Sequence, residues 1–168
     1  MSTEEIWLAA VEERAWRRLL KLDSLLMMRL DAELMAAHGL SLAEYEVLVH
    51  LSEAEEGALR MSALADLALV SRSGLTRRVD HMVAEGLVSK VVCPSDRRGM
   101  LAELTASGRE LLEAAAPTHV AGVRKYLISR FSAEGLEGFV ESLAGPLQAL
   151  EEEPGPAQCP TAAERRLR

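Results

Sequence analysis

The sequence predicts a mainly α-helical fold that carries one small β-hairpin. Apolar residues recur at three- and four-residue steps along most of the 168-residue chain, which is the period of amphipathic helices. Two β-prone runs, at residues 87–93 and 100–104, flank a turn that contains proline and glycine. The hydrophobic share of 49% and the charged share of 27% are typical of a globular protein, and the length predicts a single domain over residues 1–168.

Composition excludes several classes of protein. The apolar runs are too short to cross a bilayer, and the acidic N-terminus is unlike a secretion signal. Two cysteines in unrelated contexts, Cys93 and Cys159, are typical of the reducing cytoplasm, where we expect the protein to reside. Aromatic residues make up only 4%, which argues against a stacking platform for single-stranded nucleic acid.

The N-terminal part of the chain reads as two helices. A long helix is predicted over residues 6 to about 37, with Gly39 at its C-terminal cap. Its apolar stripe is wide, so we expect burial on more than one side; the stripe comprises Leu19, Leu22, Leu26, Leu30 and Leu34. Ser41 and Glu44 have the spacing of a capping box, which begins a second helix that runs to about Leu51.

The next segment predicts a helix-turn-helix. A polar connection at 52–60 leads to a short third helix at 61–68, and a tight turn follows at 69–71. Ser71 can cap a fourth helix that runs to about Glu85 and closes at Gly86. In such a unit the second helix enters the DNA major groove.

The helical wheel of the fourth helix separates an inner from an outer side. Leu75, Val79, Met82 and Val83 should pack inward. The outward residues are Ser73, Thr76, Arg77, Asp80 and His81, and Arg72 and Arg78 flank the apolar stripe. Residues 71–98 hold six basic and three acidic side chains, although the whole chain has a net charge of −7. This local excess suits phosphates and base edges, whereas the alternative is a merely solvated helix face.

The hairpin presents a basic tip. Arg97 and Arg98 are adjacent in its turn, between Asp96 and Gly99. An arginine at such a point suits the negative potential of a narrow minor groove. Asp96 can accept hydrogen bonds from an arginine and hold the tip in shape. The alternative is a charged turn without a function.

Two further helices complete the predicted architecture. Thr105 can cap a fifth helix that continues past Pro117, and Ser132 can cap a sixth that reaches about Leu150. The segment Pro154-Gly155-Pro156 should end ordered structure, which leaves a flexible tail at 154–168.

Five segments resemble the MarR family of winged helix-turn-helix regulators, in register from about residue 39 to 113. These segments are Gly39–Leu48, Leu64–Asp66 with Ser71–Asp80, Glu85–Val88, Asp96–Gly99 and Leu104–Arg109. The helix order extends the resemblance over 6–150. Each motif alone is weak, whereas their joint spacing is specific.

The resemblance implies a triangular homodimer that binds a pseudo-palindromic operator in double-stranded DNA. The DNA-binding part would span about 41–105, and helices at about 6–37 and 106–150 would interlock across the two-fold axis. The family pattern places Arg98 in the minor groove with support from Asp96, and Arg97 on phosphate. The full set of predicted DNA-contacting residues is Ser71, Arg72, Ser73, Thr76, Arg77, Arg78, Asp96, Arg97 and Arg98.

Many members of this family respond to small phenolic or anionic molecules, for which the candidate residues here are Trp16, Tyr45, His50 and His119. Each of these could instead be a packed core or interface residue. Cys93, near the basic tip, could be a structural thiol or a redox switch. The urate-responsive branch, which this chain resembles in having an N-terminal tryptophan (Trp7 or Trp16), has an aspartate near the position of Glu46, and this departure argues against urate.

No cofactor, metal site or enzymatic activity is predicted, because the four histidines are scattered and no catalytic motif is present. The resemblance implies a ligand-responsive transcriptional repressor. The alternative is a winged-helix module that binds a protein and does not read DNA, but such a module would have no need of Arg77 beside Arg97 and Arg98.

Overall fold

A computed structural model describes residues 7–93 and 99–152. The chain divides into two compact units, Met1–Tyr126 and Leu127–Arg168, which are described separately. The first unit contains helices α1 (Ala10–His38), α2 (Leu42–Glu53), α3 (Met61–Leu67), α4 (Arg72–Ala84) and α5 (Ala106–Tyr126), and strands β1 (Ala58–Arg60), β2 (Val88–Val92) and β3 (Met100–Leu104). The second unit contains α6 (Ala133–Glu152). The predicted hairpin tip at 96–98 and the predicted tail lie outside the described residues.

Helix α1 begins at Ala10, later than the predicted residue 6, because Trp7–Ala9 are not helical. The side chain of Glu12 accepts the backbone N–H of Ala9 at 2.7 Å and so satisfies a free donor at this end. Gly39 ends the helix with a φ of 65°, where a residue with a Cβ would be strained. The predicted burial on several sides is not found within one chain, since Leu30 and Leu34 are buried but Leu19 and Leu22 are exposed.

The capping box at the start of α2 is confirmed. The Ser41 hydroxyl accepts the Glu44 N–H at 3.3 Å, and the Glu44 carboxylate accepts the Ser41 N–H at 3.0 Å. The connection after α2 differs from the prediction, because Ala58–Arg60 form strand β1. Three residues are too few to show an alternating pattern, and this strand exists because it pairs with the distant β3.

Helices α3 and α4 form the predicted helix-turn-helix. The Ser71 hydroxyl caps α4 by accepting the Gly74 N–H at 3.1 Å. Leu75, Val79 and Met82 are fully buried, as the wheel predicts. Val83 is the exception at 38% exposed, because α4 packs along one narrow stripe and Val83 lies about 100° round the helix from Met82.

The strands form one antiparallel sheet of order β1-β3-β2. The predicted hairpin is confirmed. It pairs Val88 with Leu104 and Val92 with Met100, and β1 adds a third strand to the sheet. We call the β2–β3 hairpin the wing. The Thr105 hydroxyl donates to the Gly86 carbonyl at 2.7 Å and accepts the Gly108 N–H at 3.0 Å, which joins the base of the wing to α5.

The core of the first unit lies between α1, α2, α3, α4, the sheet and α5. Its largest fully buried side chains include Leu34, Leu48, Leu51, Leu64 and Leu75. Helix α5 runs along α1, and His38 Nε2 lies 2.8 Å from Thr118 Oγ1. The Glu33 carboxylate accepts from Lys125 at 2.9 Å and from Tyr126 at 2.5 Å. These contacts join α1 to α5, and both helices share one hydrophobic core with α3 and α4.

In the second unit, Ser132 caps α6 as predicted, since its hydroxyl accepts the Gly135 N–H at 3.1 Å. Phe131 and Phe139 stack with their ring centroids 5.1 Å apart. No residue of α6 is buried within the described chain, and Val140, Leu147 and Leu150 are more than half exposed. None of the described helices combines the length and the apolar character that a membrane span requires.

Candidate nucleic-acid interface

The exposed face of α4 is the centre of the candidate interface. Ser73, Thr76, Arg77, Asp80 and His81 are all exposed, as the wheel predicts. Because the opposite side of the helix is anchored by three fully buried side chains, this face is presented rigidly. It offers hydroxyl groups and one guanidinium, which are the groups that bind base edges and phosphates.

The N-terminal turn of α4 is also accessible. Ser71 and Arg72 are exposed, and Arg78 is half-buried on the flank of the helix. The hydroxyl of Thr76 donates to the Arg72 carbonyl at 2.8 Å, so its lone pairs remain available to a donor. The backbone N–H groups at this end carry a partial positive charge, which favours phosphate binding near Ser71.

An ion pair between Asp80 on α4 and Lys90 on β2 links the exposed face of the helix to the wing. The Lys90 ammonium donates to Asp80 Oδ1, and the lysine side chain is only 22% exposed. Asp80 and Lys90 are ten residues apart in the sequence, which does not indicate that they pair. Periodicity could not reveal this contact because it joins a helix to a strand.

A hydrogen bond between side chains links α4 to α2. The Nδ1 of His81 lies 2.9 Å from Oε1 of Glu44, while Oε2 of the same carboxylate serves the capping box. Burial acts to raise the pKa of Glu44, but hydrogen bonds from Ser41 and His81 outweigh it and lower that pKa. Glu44 is therefore an ionised acceptor at neutral pH. From the sequence, Glu44 is predicted only as part of the capping box; its contact with His81 lies 37 residues away.

The wing tip residues Asp96, Arg97 and Arg98 lie outside the described residues, so their predicted contacts stay predictions. The hydrogen bonds between β2 and β3 continue one step beyond the Val92–Met100 pair, since the Cys93 N–H donates to the Gly99 carbonyl at 2.9 Å. Cys93 itself is buried. Val92 and Met100, the last pair of the wing before the tip, are 54% and 39% exposed, so the hairpin projects from the core.

The four predicted effector residues do not share one site within the chain. Tyr45, His50 and His119 line a single cavity of about 380 Å³. Trp16 instead borders two other cavities on α1, one of them with Trp7 and Leu20. The described residues contain no group of three or more His, Cys, Asp and Glu side chains that could hold a metal ion.

Helices α2, α3 and α4 are followed by the wing, and the exposed face of α4 lies beside it. This arrangement defines a winged helix-turn-helix protein.

Known proteins similar to this chain belong to the same class. The model of the MarR family matches residues 38–99. The repressor YetL of Bacillus subtilis is 28% identical over 115 residues, which are 68% of each chain. The regulator MhqR of the same organism is 31% identical over 106 residues, or 63% of this chain and 71% of MhqR.

Solved structures show the same relationship. AbsC, a MarR family regulator of Streptomyces coelicolor, is 37% identical with a TM-score of 0.81, and the match covers 88% of this chain and 99% of AbsC. Sco3205 of the same organism, crystallised with DNA, is 34% identical with a TM-score of 0.82, covering 92% of this chain and 96% of Sco3205. The chain therefore belongs to the MarR family of transcriptional regulators.

Proposed function

We propose that this regulator binds a pseudo-palindromic operator as a homodimer and represses transcription until a small effector releases it. The exposed face of α4 carries the proposal, because it places Arg77 between small hydroxyls on a rigidly anchored helix. The related Sco3205 was crystallised with DNA, and the related YetL is named a repressor. A protein with this function acts where the DNA is, in the cytoplasm.

Within the major groove, Arg77 is suited to guanine, whose O6 and N7 accept a bidentate arginine. Ser73 and Thr76 would contact base edges or phosphate, and Ser71 lies at the N-terminus of α4, where phosphate binds. Arg72 and Arg78 would contact the phosphates on either side. The wing would add Arg98 in the minor groove and Arg97 on phosphate, with Asp96 as their support.

Exposed apolar surface supports the homodimer. Helix α1 exposes several large apolar side chains, and α6 exposes a further set. These residues are Val11, Trp16, Leu19, Leu20, Leu25 and Met28 on α1, and Val140, Leu147 and Leu150 on α6. Surface of this extent is unusual for a monomer and is typical of a subunit interface. A two-fold dimer would also match the symmetry of a pseudo-palindrome.

The experiment that tests DNA reading is a fluorescence anisotropy titration with the chain's own upstream intergenic DNA and a scrambled duplex. We expect tight binding to the first and weak binding to the second, with a steep salt dependence. Arg77→Ala should cost about 1–3 kcal/mol on the specific DNA, whereas Arg124→Ala, an exposed arginine on α5, should change little. Equal, weak binding to both DNAs at every salt concentration, together with capture of a protein partner, would favour the interaction module.

A further inference from the structure

His81 lies on the exposed face of α4, and one of its two ring nitrogens is already bound within the protein. Nδ1 lies 2.9 Å from Oε1 of Glu44, and the lowered pKa of Glu44 keeps that carboxylate ionised at neutral pH. An ionised carboxylate can only accept, so Nδ1 carries a proton. The Glu44 side chain is 14% exposed and that of His81 is 65% exposed. The accessible part of the ring is therefore the edge that carries Nε2.

Glu44 can position the ring because Glu44 is itself fixed. Its Oε2 accepts the N–H and the hydroxyl of Ser41 at 3.0 and 2.6 Å, while Oε1 faces His81. Met82, the next residue of α4, is fully buried and anchors this turn of the helix in the core. A side chain held in this way loses little rotamer freedom when it binds DNA.

The protonation of Nε2 decides what the ring can bind. In the neutral ring with its proton on Nδ1, Nε2 is an acceptor and cannot bond to a phosphate oxygen, which also accepts. Histidine gains its second proton between about pH 8 and pH 5, and Nε2 then becomes a charged donor. The imidazolium would lie between two anions, with Glu44 at Nδ1 and a phosphate at Nε2.

The position of His81 along α4 suits a phosphate better than a base edge. In a helix-turn-helix, the N-terminal residues of the second helix contact the base edges. His81 lies nine residues beyond Arg72, or about 14 Å along the helix axis, and one turn beyond Arg77. A straight helix leaves the groove as the DNA curves away from it, so the phosphates that border the groove are nearer at this point.

The elements in contact with α4 carry charges of both signs. The acidic residues are Glu44 of α2, Asp66 of α3, Asp80 of α4 and Glu85 at its end, and the basic residues are Arg77 and Arg78 of α4 and Lys90 of β2. Lys90 binds Asp80, so these two charges offset each other. Arg77 and Arg78 lie one turn before His81 and oppose a further positive charge, whereas Glu44 favours it. A phosphate at Nε2 would add the negative charge that favours the imidazolium.

We propose, on the basis of the DNA-binding function proposed above, that His81 is a further DNA-contacting residue whose imidazolium donates from Nε2 to a backbone phosphate. Each His81 takes up one proton from the solvent as the DNA binds. Glu44 is the positioning residue, because it holds Nδ1 and leaves Nε2 to the phosphate. Since a proton is taken up with the DNA, affinity rises as the pH falls through the range in which histidine titrates.

Fluorescence anisotropy titrations at pH 6, 7 and 8 and constant ionic strength test this contact. They use the full chain with its own upstream intergenic DNA and with a scrambled duplex. A homodimer carries two His81 side chains, and its affinity for the upstream DNA should be about tenfold higher at pH 6 than at pH 8, the size of a charge-assisted hydrogen bond. The salt slope should be steeper at pH 6 by about one for each His81.

Three variants separate the charge of His81 from its packing. His81→Gln removes the titrating group while its amide can still donate to Glu44, so the pH dependence should disappear. His81→Arg carries a permanent charge and should bind at pH 8 about as tightly as the parent binds at pH 6. His38→Gln, at the end of α1 beside Thr118, is the matched control and should keep the parental pH dependence.

Calorimetry measures the proton uptake directly. Isothermal titrations of the protein with DNA at pH 7, in phosphate and in Tris, should show protons taken up by the parent, and His81→Gln should take up fewer. An equal pH dependence in the parent and in His81→Gln would overturn the proposal. So would a loss of parental affinity at low pH that His81→Gln abolishes, because Nε2 would then face a donor on a base.

The two proposals fail separately. Equal affinity for the upstream and the scrambled duplex would contradict the operator function. A phosphate contact does not depend on base sequence, so the comparison of the parent with His81→Gln on the scrambled duplex would still decide the role of His81. Absence of binding to either duplex would overturn both proposals.

Discussion

The Nδ1 of His81, on the exposed face of α4, donates a hydrogen bond to Oε1 of Glu44 at 2.9 Å. An ionised carboxylate can only accept, so Nδ1 carries a proton. The second oxygen of Glu44 accepts the backbone N–H and the hydroxyl of Ser41 at 3.0 and 2.6 Å. One carboxylate therefore caps α2 and braces α4.

Substitution Glu44→Gln should lower the free energy of unfolding at pH 7 by about 1 kcal/mol, because the amide still accepts the Ser41 N–H but hydrogen bonds to a charged acceptor are stronger than those to a neutral one. The folded pKa of Glu44 lies below its ordinary value of 4.5. Its stabilisation is therefore fully present above about pH 4.5 and is lost as the pH falls through the folded pKa. Urea denaturation at pH 7 and at pH 3.5 should show a smaller acid-induced loss in the variant. Glu53→Gln, at the exposed last residue of α2, is the control. An unchanged pH dependence in Glu44→Gln would contradict the stabilising role assigned to the Glu44 carboxylate.

Gly108 marks a close approach between α5 and the start of the wing. A Cβ at this position would lie 2.1 Å from the Leu87 carbonyl oxygen, which is backbone and cannot move freely. Gly108→Ala should therefore destabilise the fold by about 1–3 kcal/mol or more, as overpacking does. Gly138→Ala on α6, where a Cβ meets nothing within 4 Å, should instead add about 0.5–1 kcal/mol. Thermal unfolding of both variants measures the difference, and equal shifts would refute the close packing.

The Asp80–Lys90 pair should set the balance between specific and general DNA binding. Asp80→Asn removes a negative charge from the exposed face and frees Lys90, so affinity for scrambled DNA should rise and its salt slope should steepen by about one. Discrimination should fall, because α4 is no longer tied to the wing. Glu85→Gln makes the same charge change at the end of α4, outside this pair, and should leave the ratio of specific to scrambled affinity closer to that of the parent. A ratio that falls equally in both variants would show that charge alone acts.

Replacement of Leu147 by Asp should disrupt the proposed dimer. Leu147 is 54% exposed on α6, and a charge there would be buried without a partner in a subunit interface. Sedimentation equilibrium should show a monomer, or an affinity between protomers reduced by orders of magnitude. Gln148→Asp places the same charge on the neighbouring exposed position and should remain dimeric. A Leu147→Asp dimer of normal stability would mean that α6 lies outside the interface.

Much of the fold could be predicted because its signals are local. Ser41, Ser71, Thr105 and Ser132 each cap the helix that follows, and a capping hydroxyl bonds within three residues of itself. The inward residues of α4 followed from the helical period. The same period misplaced Val83, because it gives the direction of a side chain but not the width of the surface that covers it.

The rest depended on residues that lie far apart in the chain. The pairing of β1 with β3, the contact of Glu44 with His81 and the stacking of Tyr45 on His119 each join separate elements. No single segment carries a signal for such contacts, since they form only when the helices pack. The sequence by itself determined where the capped helices α2, α4, α5 and α6 begin, which face of α4 turns outward and which family the motifs match. The tertiary structure alone decided which side chains hold α4, namely Glu44 and Lys90, and which side chains enclose the cavity beside Tyr45. Those contacts depend on packing between elements, which local preferences do not specify.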